Sequence, residues 1–129
     1  MRKTLIAALC IASPAVAQDP DAGEEFYRGY CAVCHGIEAR GDGVMSEVLE
    51  IPPTDLTQLS ATNGGRFPVY RVVRRIDGRD LLIAHGGEMP LFGHLFDMPD
   101  AAIPSESGQP ILTAQPIADI VTWLEEIQE

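Results

Sequence analysis

Positive charge is scarce in this chain of 129 residues. Nine Lys and Arg stand against nineteen Asp and Glu, a formal charge of −10. A general nucleic-acid binder needs a net basic face to displace phosphate counterions, so that class is excluded. Long apolar runs are missing too: none approaches the about 20 residues that a membrane-spanning helix needs. Internal repeats and low-complexity stretches are absent. Cysteine is rare, with three in the whole chain. What remains is an ordinary globular composition, 46% apolar, over a length that suits one domain.

The first residues read as a removable address. Arg2 and Lys3 precede an almost wholly apolar or small stretch, Leu5 to Ala17, broken at Ser13-Pro14. Ala15-Val16-Ala17 has the small-x-small form of a signal-peptidase site, so residues 1–17 are expected to be a secretory signal cleaved after Ala17. A short core helix and an uncleaved anchor are the alternatives. Leu9 stands where a lipoprotein site at Cys10 would want a small residue. Cleavage leaves residues 18–129, expected to be one domain without a membrane span. These residues carry no lysine, and seven arginines against nineteen acids give −12. Cys10 departs with the signal, leaving Cys31 and Cys34 as one pair of thiols. An oxidising compartment would normally join such a pair, but a two-residue gap staples little chain.

Residues 31–35 read Cys-Ala-Val-Cys-His, the attachment signature of c-type haem. Each thiol adds to one vinyl group at the porphyrin edge, and the following imidazole, His35, is held where it can ligate the iron. Zinc would want a second ligand cluster, and a thioredoxin-like dithiol would want a βαβ context that the sequence does not offer.

Tyr27-x-x-x-Cys31-Ala32-x-Cys34-His35-Gly36, then Met89-Pro90-x-Phe92-Gly93, then an amphipathic terminal segment, together resemble a monohaem class I cytochrome c over about Asp21 to Ile127. The resemblance implies an all-α fold, small and cytochrome c-like, with N- and C-terminal helices crossing around one covalently bound haem. It implies covalent attachment at Cys31 and Cys34, His35 as the proximal iron ligand and Met89 as the distal one. Gly86-Gly87 permits a tight path before Met89, and Pro90 stiffens the turn after it. Met98, also followed by proline, is the rival, and His85 and His94 flank the loop. Met45 lies too near His35 to reach the far face and reads as core filler.

The pattern predicts a first helix over about Ala22 to Val33, opened by a capping box at Asp21-x-x-Glu24. One turn is expected near Met45 to Leu49, and Pro52 or Pro53 is expected to offer a carbonyl to the other ring nitrogen of His35. Asp55 and Thr57 read as local caps. A helix is predicted from Pro68 to about Asp77, stopped by Gly78, with Arg71, Arg74 and Arg75 forming a local positive patch flanked by Arg66 and Arg79. That patch is a solvated face, a docking site for a partner, or a clamp for haem propionates, to which Tyr70 or Trp123 would add a hydrogen bond. Leu91 to Thr113, with three prolines, reads as a long irregular segment. A last helix opens at Pro116, its stripe formed by Ile117, Ile120, Val121, Leu124 and Ile127. Phe26 or Tyr27 is expected to meet Leu124 or Trp123.

The expected function is a periplasmic electron carrier, not an enzyme. It would cycle haem c between Fe(II) and Fe(III) and meet redox protein donors and acceptors transiently. The alternative is a cytochrome subunit of a larger dehydrogenase or terminal oxidase complex.

Overall fold

A computed structural model of the chain describes residues 17–78, 89–96 and 99–129. The expected signal segment lies outside the described residues up to residue 16. So do Arg79, His85 and Met98.

Asp19, not Asp21, opens the first helix, α1 (Pro20–Tyr30). The Asp19 carboxylate accepts from the backbone N–H groups of Asp21 (3.1 Å) and Ala22 (3.2 Å). Pro20 fills a first-turn position where a missing N–H costs nothing. Glu24, expected to face back toward the cap, instead pairs with Arg28 one turn on, at 2.6 Å. The helix ends at Cys31, whose φ of −110° departs from the helical value. A separate single turn, α2 (Ala32–His35), follows. The predicted continuous helix is therefore two, broken at the first cysteine.

The next two expected elements are close to their predicted places. A 3-10 turn covers Ser46–Val48, and α3 runs Val69–Asp77. Val69, Val72, Val73 and Ile76 are buried along one face of α3. Gly78 ends it in the left-handed conformation (φ +76°), donating its N–H to the Arg74 carbonyl at 2.9 Å.

The all-α expectation fails in the segment read as irregular. Ala101–Pro104 (β1) and Pro110–Thr113 (β2) form a two-stranded antiparallel sheet, in register Ala101 to Thr113 and Ile103 to Ile111. Ser105 N–H donates to the Gln109 carbonyl (2.8 Å) and Gly108 N–H to the Ser105 carbonyl (2.9 Å), closing the hairpin. Pro104 and Pro110 pair across the loop end of the ribbon, where proline is tolerated in strands. Four-residue strands bounded by proline carry too short an alternation to read as period two. The helices are short as well, and the described residues form a mixed structure of helices and a hairpin.

The last helix, α4 (Gln115–Glu126), packs against α1, α3 and β1. Its buried face carries Ile117, Ile120, Val121, Trp123 and Leu124. Gly23 of α1 lies so close to the Asp119 backbone that a Cβ there would collide with it. The Tyr27 and Trp123 rings meet at 4.5 Å between centroids. Phe26 turns elsewhere, stacking on Tyr30 and meeting Phe96 edge-on. Among the described residues, no helix is long and apolar enough to cross a membrane.

Candidate functional site

Cys31, Cys34 and His35 sit on or beside the single turn of α2, where i to i+4 spacing places Cys31 and His35 one above the other. Both thiols are free, and both are half-buried. Burial, then the neighbouring Cys34, pushes the Cys31 thiol up to about 11. It therefore rests protonated at neutral pH rather than as a nucleophilic thiolate. His35 Nδ1 lies 3.1 Å from the Thr54 carbonyl oxygen. That contact makes Nδ1 the protonated nitrogen and leaves Nε2 with its lone pair. Burial pulls the imidazole below its ordinary pKa, and the Thr54 carbonyl opposes the shift by favouring the protonated ring. The acceptor is one residue beyond the two prolines expected to supply it. Pro52 and Pro53 fix the extended path, and Thr54 is where that path reaches the ring.

The chain after His35 folds back onto α2. Gly41 N–H donates to the His35 carbonyl (2.7 Å), Gly43 N–H to the Cys34 carbonyl (3.1 Å) and Met45 N–H to the Val33 carbonyl (3.0 Å). Gly43 lies against the backbone of Val33 and Cys34, leaving no room for a Cβ. Below the turn, the buried Tyr27 hydroxyl donates to the Gly36 carbonyl at 2.6 Å. Burial first, then Cys31 and Asp42, raises the pKa of this phenol.

Exposed apolar side chains crowd this stretch: Tyr30, Val33, Ile37, Val44, Met45, Val48 and Ile51. Val44 is 82% exposed and Val48 71%. Met45, expected as core filler, is among them. Seven large apolar side chains within 22 residues of chain is much apolar surface to leave in water. A flat, largely apolar cofactor bonded to Cys31 and Cys34 has the chemistry to cover part of it. The donor set fits c-type haem: two thiols two residues apart, and an imidazole with one nitrogen engaged and the other available.

Met89 is half-buried and packs on the same core cluster as Cys31, Ala32, Phe92 and Phe96. Its segment is pinned to α3 by Phe92 N–H donating to the Ile76 carbonyl at 2.9 Å. His94 is exposed on a 3-10 turn, Gly93–Leu95. Asp55 caps its own turn, its carboxylate accepting from Thr57 N–H (2.9 Å) and hydroxyl (2.6 Å). Of the arginines on α3, Arg71 is exposed, and the Arg74 guanidinium lies 5.7 Å over the Tyr70 ring. Trp123 is buried in the core rather than held at a surface. The sequence reading missed Thr54 and the tail residues Gln128 and Glu129. Gln128 bonds the loop that carries Thr54. Among the described residues, no three of His, Cys, Asp and Glu form a group able to hold a metal ion. Compared with family models and with curated proteins, the chain matches none.

Proposed function

We propose that this protein is a monohaem c-type electron carrier, exported to the periplasm. The site and not the architecture supports this reading, since fold alone does not specify chemistry. The observation that carries it is the turn at 31–35: two free thiols two residues apart, followed by an imidazole whose Nδ1 is engaged by Thr54.

In this reading Cys31 and Cys34 would hold the macrocycle through thioethers, and His35 Nε2 and the Met89 sulfur would ligate its iron. When bound, haem c supplies a one-electron Fe(II)/Fe(III) couple, with a thioether ligand raising its potential. The polypeptide's part is to hold that couple still. The Thr54 carbonyl fixes the tautomer and plane of His35. Gly43 lets the following loop close on α2, and the Tyr27 hydroxyl anchors the Gly36 carbonyl from below. Partners would be redox proteins meeting the exposed apolar rim in small, transient contacts.

The test is the intact mass of full-length protein exported from a host able to mature c-type cytochromes. The expected mass is the processed polypeptide plus one haem, and Cys31→Ala with Cys34→Ala should abolish the increment. A mass equal to bare polypeptide would refute the proposal. Met89→Ala should keep the haem but lose the long-wavelength absorption of thioether-ligated ferric iron; an unchanged spectrum would remove Met89 from the ligand set.

A further inference from the structure

Gln128 and Glu129, following α4, reach the two segments that build the site. Gln128 Nε2 donates to the carbonyls of Leu56 and Leu124, each at 2.7 Å. Its Oε1 accepts from Ser60 N–H at 2.8 Å. Glu129 N–H donates to the Thr57 carbonyl at 3.0 Å. The Glu129 carboxylate then crosses to the segment beyond His35, where both oxygens take the Arg40 guanidinium, and Gln58 Nε2 donates to it at 3.3 Å. Leu56 N–H also joins the two segments directly, donating to the Ala39 carbonyl at 2.7 Å. The segment carrying His35 is thus tied to the segment carrying its acceptor, Thr54, by Glu129 and by the Leu56–Ala39 bond, while Gln128 holds the 56–60 stretch against α4.

Magnitudes rank the members. Arg40 and Glu129 are about half exposed, and an ion pair in water contributes little. Gln128 is half-buried, and all three of its bonds go to backbone groups. Deleting it strands the Leu56 carbonyl and Ser60 N–H two and six residues from Thr54.

Resting on the haem reading above, we infer that Gln128 is a positioning residue that tunes the couple through His35. It holds the 54–60 loop at the distance that keeps Thr54 hydrogen-bonded to Nδ1. A strong Nδ1–H···O bond makes the imidazole a better donor and favours Fe(III). Loosening it shifts preference toward Fe(II), so the midpoint potential rises.

The experiment uses the exported, haem-loaded full chain and compares Gln128→Ala with Asp19→Ala. The latter removes the α1 cap, which has no bond to this loop, at a comparable cost in stability. Expected for Gln128→Ala are a higher midpoint potential and an upfield-shifted His35 Nδ1–H resonance in the reduced, diamagnetic protein. Asp19→Ala should lower the melting temperature alone. Equal potentials in both variants, or a moved potential with the Nδ1–H resonance in place, would overturn the inference. Bare polypeptide at the start would instead sink the haem reading itself, before any potential is measured.

Discussion

Tyr27 shows how one side chain serves the core and the site together. Its ring fills space against Trp123, and its hydroxyl satisfies the Gly36 carbonyl next to His35. Tyr27→Phe keeps the packing and removes one of two bonds to that buried carbonyl, which still accepts from Ala39 N–H at 3.2 Å, so a loss of about 0.5–1.5 kcal/mol is expected. Urea unfolding would measure it. The pH dependence has a definite sign. Burial raises the folded-state pKa above the unfolded value of 10.0, so the folded chain keeps a proton that the unfolded chain releases. Tyr27 thus contributes stability that is complete below about pH 10 and is lost as pH climbs through the folded pKa. The Phe variant should unfold with a flatter alkaline limb, and an identical limb would remove Tyr27 from that dependence.

Among the elements, the contact between α1 and α4 depends on Gly23, whose missing Cβ lets the Asp119 backbone approach. Asp119 also accepts from Asp19 N–H at 2.8 Å, tying the start of α1 to α4. Gly23→Ala should force the helices apart and cost about 1–3 kcal/mol, as overpacking does. A melting temperature equal to wild type would show that the helices can slide instead. The helices were legible because their signals are local. Pro68 and Gly78 bracket a valine-rich stripe, and Pro116 opens an apolar one. The hairpin was not, because Pro104 and Pro110 read as breakers while their role as strand ends depends on a partner strand. The site divides in the same way. Cys31, Cys34 and His35 announce themselves by spacing. The Thr54 carbonyl is a backbone group and leaves no residue-type signal, and Gln128 matters only because folding brings position 128 onto position 56.

Across the whole molecule, charge is the property that sequence states and structure distributes. Residues 18–129 carry −12, and the stretch that folds back on α2 and follows it holds exposed Glu38, Asp42, Glu47 and Glu50. Its one cation, Arg40, is already engaged by Glu129. Acids interleaved with exposed Ile37, Val44, Val48 and Ile51 make a surface suited to a partner with a basic rim around an apolar centre. Steering of this kind changes association rates by about 10–1000-fold and fades as salt shortens the Debye length to about 8 Å at physiological ionic strength. In the proposed carrier, electron transfer to a basic redox protein should therefore slow steeply with added salt. Glu38→Gln, Glu47→Gln and Glu50→Gln together should flatten that slope. Removing three other exposed acids, Asp21, Glu125 and Glu126, makes the same change in net charge away from that stretch and should leave most of the slope intact. Stopped-flow rates over a salt series would separate the two triple variants. Equal slopes would mean that total charge, and not the rim of the site, steers the encounter.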